Sequence, residues 1–275
     1  MLHHQRLCVE YASFAKVIGI SIITLMHVEI DWLEFKIAFR EAAEAAGFVS
    51  TLLVKLDGEY LEAWERSGGG PRVYLSAGIH GDEPAGPLAL LELLKNDFFN
   101  SECHWLLCPT LNPTGLSAST RENSSGVDLN RDYWLRESAE VEAHTRWLEI
   151  CGAPDIFISL HEDWETEGFY FYEINLGDED IGRMNRILDA VYPWFLPEPG
   201  PNIDGHEVSG PGWIYHIAEP DLPEGWPEAI YLAKLGCPVS FTFETPSRAA
   251  LAHRVAAQMA AVIAAVNLKS KRGEA

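Results

Sequence analysis

Apolar positions along this chain recur with two different periods. Between Trp32 and Ala46 they fall at helical spacing, and Gly47 supplies the stop. Val49 to Leu56 and Tyr60 to Trp64 read instead as paired strands around Asp57 and Gly58, which predicts a hairpin. Past the breaker Gly68, Gly69, Gly70, Pro71, the run Val73 to Ile79 reads as a buried strand, and a leucine-rich helix is expected from Pro84 to about Lys95. The alternation continues with a strand at His104 to Pro109, a helix at Glu137 to Cys151 capped by Gly152, and a strand at Asp155 to Leu160. A helix at Asp180 to Val191 carries Ile181, Met184, Leu188 and Val191 on one face. A strand at Val239 to Phe243 precedes a last helix, in which Leu251, Val255, Met259, Val262 and Val266 recur at helical spacing. Strands alternating with helices predict an α/β fold, a mixed and mostly parallel twisted sheet with helices on both faces. No internal repeat, low-complexity tract or linker divides the chain, so one domain is expected over residues 26–275.

The apolar stretch Phe14 to Met26 is interrupted by Lys16 and falls short of the ~20 residues a membrane span needs. His27, Val28, Glu29 and Ile30 follow it in place of a small-residue cleavage site. It reads as a strand or appended segment, which leaves residues 1–25 as an N-terminal extension. Charge narrows the partners further. With 41 acidic against 20 basic residues the formal charge is -21, so a phosphate backbone or an anionic lipid surface would be repelled. Neither nucleic acid nor membrane is an expected partner. The five cysteines are odd in number, scattered and free of any CxxC pair, which argues against a disulfide framework and points to a reducing, cytoplasmic compartment.

In open α/β sheets the reactive groups sit beyond the carboxyl ends of strands, and three strand ends here hold chemistry-bearing residues. The first reads GIHGDEPAG, where His80 ends a strand and Glu83 opens a helix; imidazole nitrogen and carboxylate oxygen both bind Zn²⁺ at about 2.0 to 2.2 Å. The second, DIFISLHED, stops at His161, either a core histidine satisfied by a partner or a third ligand. The third, VSFTFETP, places Glu244 in an apolar strand, where a charge without a cation or hydrogen-bond partner costs several kcal/mol. Between the first two lies the polar loop RENSSGVDLNRDY, residues 121–133, with Arg121 and Arg131 in a chain poor in cations. A guanidinium suits two-pronged binding of a carboxylate.

Together these segments resemble the zinc metallocarboxypeptidase family, whose best-known members are the pancreatic carboxypeptidases, and its small bacterial branch of murein-peptide amidases. The shared order is HxxE, an arginine followed by GVDLNR, a strand ending in histidine, and FTFE near the C-terminus, spanning about Arg72 to Thr245. The resemblance implies a Zn²⁺ ion held by His80, Glu83 and His161, with Glu244 as general base and proton shuttle. Arg121 would then polarise the scissile carbonyl, Asn130 and Arg131 would hold the substrate's terminal carboxylate, and Asp128 would orient the first zinc histidine. The family's capping tyrosine falls between His161 and Glu244, where Tyr215 suits the spacing better than Tyr231. Asp132 and Tyr133 follow Arg131 here, where much of the family has asparagine and an aromatic.

The implied activity is zinc-dependent hydrolysis of a C-terminal bond in a peptide or amino-acid amide. An alternative is a deacylase of N-acyl amino acids resembling aspartoacylase and succinylglutamate desuccinylase, which share HxxE, DLNR and a late histidine; the FTFE strand favours the peptidase. A catalytically silent peptide receptor is a third reading, but binding alone requires no general base. After His161 runs HEDWETEGFY, placing Glu162, Asp163, Glu165 and Glu167 on an expected loop, either as a solvated acidic surface or as an attractor for a substrate ammonium.

Overall fold

Asp31 starts the first helix by accepting hydrogen bonds from the backbone N–H groups of Leu33 and Glu34. Helix α1 (Trp32–Ala45) ends before Gly47, whose φ of +83° turns the chain into β1 (Val49–Lys55). There follow β2 (Tyr60–Arg66), β3 (Arg72–Ala77), α2 (Ala85–Lys95), β4 (His104–Cys108), the short α3 (Pro113–Ala118) and a 3-10 turn at Leu129–Arg131. The second half comprises α4 (Ala139–Cys151), β5 (Ile156–Asp163), β6 (Tyr170–Asn175), α5 (Ile181–Val191), β7 (Asn202–Ile203), β8 (His206–Glu207), β9 (Trp213–Tyr215), α6 (Glu228–Leu235), β10 (Val239–Pro246) and α7 (Leu251–Val266). This computed structural model describes residues 30–56, 58–177 and 181–266, with Ile181 described by its backbone alone. The stretch Phe14 to Met26, Asp57 of the expected turn and Asp180 lie outside the described residues.

Eight strands form one sheet in the order β1-β2-β4-β3-β5-β10-β6-β9, while β7 and β8 pair separately. The central strands β4, β3, β5 and β10 are mutually parallel, so their carboxyl ends share one edge. Antiparallel β1 and β2 extend one side and β6 the other. Strand alternation sorts side chains onto two faces: Val73, Leu75 and Ala77 of β3 pack with helices α1, α2, α5 and α7, whereas Tyr74 packs with Trp147 and Leu148 of α4 and Leu232 of α6. Helices therefore cover both faces, as expected for a parallel centre. Among the described residues no helix is long and apolar enough to cross a membrane.

Two element ends differ from the sequence expectation, and both differences bear on the site. Strand β3 stops at Ala77 rather than Ile79 because Gly78, at φ +63°, breaks the ladder. Strand β5 runs past Leu160 to Asp163 because β10 itself continues to Pro246 and pairs with it residue by residue, Glu244 opposite His161. His161, Glu162 and Asp163 thus lie on a strand, and only Glu165 and Glu167 lie beyond it.

Helix α7 braces this strand end from behind. Gln258 donates to the backbone carbonyl of His161 at 2.8 Å and to Thr245 Oγ1 at 3.0 Å. Arg254 forms a buried ion pair with Glu162, whose other oxygen accepts the N–H of Ala85 at the start of α2. Removing one partner of a buried pair strands the other's charge, so Arg254→Ala is expected to cost on the order of 3 kcal/mol. Urea denaturation of the two proteins measures this, and an unchanged midpoint would show that Glu162 is neutral and indifferent to Arg254.

Candidate metal centre and active site

The turn between β3 and α2 holds its backbone hard against α3. A Cβ on Gly81 would sit 1.9 Å from the carbonyl carbon of Gly115, so no side chain larger than hydrogen fits there. The Gly81 N–H also bonds the carbonyl of Thr120 at 2.9 Å, fixing the turn that carries His80 and Glu83. Both are buried, as is His161 at the end of β5.

These three side chains converge. His80 Nδ1 lies 2.6 Å from Glu83 Oε1, and His161 Nδ1 lies 3.1 Å from Glu83 Oε2. The two imidazoles stand edge to face with centroids 5.0 Å apart, and one donor atom from each of the three residues lies within 4.8 Å of the others. Two imidazole nitrogens and a carboxylate are a donor set that suits a divalent transition metal, which on binding would replace the 2.6 Å contact between His80 and Glu83. Electrostatics agree. Burial opposes a charged His80, but Glu83 and Asp128 outweigh it and raise its pKa to about 9. Burial likewise opposes a charged Glu83, yet the two histidines hold it below the usual carboxylate range. Burial pushes His161 down, so this imidazole is a neutral nitrogen donor.

Asp128 organises the neighbourhood. Its Oδ1 stands 3.3 Å from His80 Nε2 and accepts the Asn130 N–H at 3.0 Å. Its Oδ2 receives Arg121 through Nε at 3.1 Å, with Nη2 at 3.0 Å. Arg121 Nη1 comes within 3.7 Å of Glu83. The 3-10 turn then presents Asn130 and Arg131, and Arg131 Nη1 donates to the Asn130 carbonyl at 2.9 Å.

The cleft enclosed at this sheet edge has a volume of about 310 Å³. Its walls include His80, Glu83, Arg121, Asn130, Arg131 and His161. On β10 the polar alternation Ser240, Thr242, Glu244 faces the cleft, while Phe241 and Phe243 pack in the core. Burial raises the Glu244 carboxyl well above the ordinary range, and the carboxylates of Glu83, Asp163 and Asp204 add to this; Arg121 opposes it. Cationic charge at the neighbouring donors would bring it down again.

One expected residue is placed elsewhere. Tyr215 is absent from the cleft lining, and its hydroxyl donates to the Asn175 carbonyl at 2.9 Å, because parallel pairing of β9 with β6 carries it along the sheet edge. The tyrosines of the cleft are Tyr170 and Tyr172, which sequence reading passed over. The alternation in GFYFYEIN was the available signal: Phe169 and Phe171 lie in the core, Tyr170 and Tyr172 on the other face. The acidic stretch also divides. Asp163 and Glu165 line the cleft, Glu162 is bound to Arg254 while touching the cleft, and Glu167 lies outside the lining.

Behind Asn130 is a buried polar network that the sequence did not announce. The Glu228 N–H donates to Asn130 Oδ1 at 3.0 Å, and the Glu228 carboxylate accepts Tyr74 Oη at 2.9 Å and Ser76 Oγ at 2.7 Å. His144 bridges the hydroxyls of Tyr74 and Tyr133 at 2.7 and 2.8 Å, and burial lowers its pKa to about 3. Burial raises Glu228 to about 7, against the opposing hydrogen bonds of Ser76 and Tyr74. A raised carboxyl binds its proton more tightly folded than unfolded, so its stabilisation is complete below the unfolded pKa and declines between about 4.5 and 7 as pH rises. The loss amounts to ~3 kcal/mol by linkage. Glu228→Gln should remove this slope from a plot of Tm against pH; parallel curves for the two proteins would assign the carboxyl an ordinary pKa.

Comparison with known proteins finds likenesses in sequence and in fold. A model of the succinylglutamate desuccinylase/aspartoacylase catalytic domain matches residues 69–152. That stretch contains His80, Glu83, Arg121, Asp128, Asn130 and Arg131. Carboxypeptidase 2 of Trichophyton rubrum is 31% identical over 136 residues, 44% of this chain and 25% of that protein. The chain thus spans about a quarter of the length of that curated relative. Over the whole fold, a candidate metallopeptidase from Shewanella baltica OS155 is 25% identical with a TM-score of 0.74, covering 86% of this chain and 91% of the other. A second, from Shewanella amazonensis SB2B, is 24% identical with a TM-score of 0.75, covering 86% and 92%.

Proposed function

We propose that this chain, whose fold is similar to that of metallopeptidase structures, is a zinc-dependent hydrolase of the carboxypeptidase kind that cleaves a peptide or amide bond next to a free carboxylate. The observation that carries this reading is the register of β5 and β10, which sets Glu244 opposite His161 at the wall of the cleft. His80, Glu83 and His161 would hold the ion. Zinc, when bound there, supplies Lewis-acid chemistry and makes water acidic enough to lose a proton near neutral pH.

The chain's own residues do the rest. The Glu244 carboxylate takes the proton from the attacking water and returns it to the departing nitrogen. Arg121, held by Asp128, donates to the oxygen of the scissile carbonyl as negative charge develops on it. Asn130 and Arg131 bind the terminal carboxylate and set which bond meets Glu244. The carboxylates of Asp163 and Glu165 leave part of the wall acidic, favouring a substrate that also carries an ammonium, such as a C-terminal lysine or a diaminopimelate-type residue.

The deacylase reading draws support from the family model matching residues 69–152. Turnover by the zinc-loaded protein on short peptides ending in lysine, diaminopimelate, leucine or glutamate, beside N-acetyl and N-succinyl amino acids, separates the two. Faster turnover of the peptides, with the basic ends favoured at low salt, is expected; preference for acyl amino acids would transfer the assignment to a deacylase.

Arg131 provides a sharper check. Arg131→Ala and amidation of the substrate's C-terminus each delete the same contact, so each should lower kcat/KM and the combination should cost little more than either. Fully additive losses would place the role of Arg131 away from the substrate carboxylate.

A further inference from the structure

On the wall of the same cleft, apart from His80, Glu83 and His161, stands a second cluster of nitrogen and oxygen donors: His206 of β8, His216 just after β9, and Asp221. One donor atom from each lies within 4.8 Å of the others. The Asp221 carboxylate uses both oxygens, Oδ1 toward His216 Nε2 at 3.4 Å and Oδ2 toward His206 Nε2 at 3.5 Å. The two imidazoles pack edge to face with centroids 5.1 Å apart, and each packs edge-on to Tyr172.

The protonation of His216 makes this arrangement informative. Its Nδ1 lies 2.6 Å from the backbone carbonyl of Ile217, and a carbonyl only accepts, so Nδ1 carries the hydrogen. In the neutral ring Nε2 then holds a lone pair, and that lone pair faces a carboxylate oxygen. Two acceptors pointed at each other need a cation between them. Fixing one ring nitrogen on a carbonyl so that the other is free to ligate is also how metal-binding histidines are oriented.

Distance and donor set together bear on which cation, a proton or a metal ion, fits here. A charge-assisted N–H···O bond runs about 2.7 to 2.9 Å. Two donors each about 2.0 to 2.1 Å from one ion and tetrahedrally arranged stand about 3.4 Å apart. The observed 3.4 and 3.5 Å, one to each carboxylate oxygen, are long for the first case and leave room for one ion among two ring nitrogens and a carboxylate. We propose that His206, His216 and Asp221 form a second metal site at the rim of the cleft, for a zinc-class divalent ion. Two imidazoles disfavour calcium and magnesium, which take oxygen donors. The ligands come from separate pieces of chain, the β7–β8 hairpin and the segment after β9, so the ion clamps two connections into one cleft wall. It also places positive charge on a wall that holds Asp204 as well as Asp221.

The site stands independently of the proposed catalysis, and its test reads metal rather than turnover. Full-length protein stripped of metal is dialysed against zinc and its bound ion counted, with Tm recorded at each zinc concentration. Wild type should take up two equivalents, and the variant His80→Ala/His161→Ala should keep one together with a zinc-dependent rise in Tm. Adding His216→Ala, or in a separate protein the milder Asp221→Asn, should abolish or weaken that remaining uptake. Substituting cobalt in the His80→Ala/His161→Ala protein should give visible absorption that disappears with the His216 ring. Failure of the His80→Ala/His161→Ala protein to bind any ion overturns the rim site and leaves the central one untouched. Uptake that survives loss of both His216 and Asp221 overturns it equally.

Discussion

Glu244→Gln is expected to lower kcat/KM by about 10² to 10⁴ while metal content and Tm stay at wild-type values. The amide matches the carboxylate in size but cannot accept the proton of the attacking water, so the loss falls on the chemical step and KM changes little. Stability should hold because burial and the nearby carboxylates of Glu83, Asp163 and Asp204 make a charged Glu244 costly, and a neutral amide removes that cost. Steady-state kinetics and metal analysis on the same preparation are sufficient. Turnover within a few-fold of wild type would remove Glu244 from catalysis and require another base.

His161→Ala is expected to abolish activity and to release the central ion. With one imidazole gone, two protein donors remain, and His80 Nδ1 closes on Glu83 at 2.6 Å to satisfy the carboxylate without help. The same pair predicts a pH dependence. An imidazole must be neutral to ligate, and Glu83 with Asp128 holds the His80 proton up to about 9 against the effect of burial. Binding therefore displaces that proton at neutral pH, and affinity should rise about tenfold per pH unit until the pKa is passed. Calorimetry in buffers of different ionisation enthalpy reads the proton directly. Tight binding that ignores pH from 6 to 9, or full retention of the ion by His161→Ala, would dismantle the central site.

Much of this molecule was legible in its residue order, for local reasons. Hydrophobic periodicity marks α1, α2, α4, α7 and the buried strands β3, β4, β5 and β10 because each of these elements presents a continuous apolar face to one layer of the core. HxxE and FTFE stand at the ends of parallel strands, which brings His80, Glu83 and Glu244 to one sheet edge, and GVDLNR brings Asp128 beside His80.

Other features depend on pairings between distant segments. The register of β5 with β10 decides that His161 faces Glu244 and that Glu162 turns back to Arg254, and no local pattern encodes which residue of one strand lies beside which of another. The same applies to Tyr215, whose spacing suited a capping role until pairing of β9 with β6 placed its hydroxyl on the Asn175 carbonyl. Glu228, His144 and Tyr133 are scattered in sequence and meet only because helices α4 and α6 pack side by side over β3. His206, His216 and Asp221 come together for a comparable reason, since the β7–β8 hairpin and the segment after β9 meet only in the folded chain.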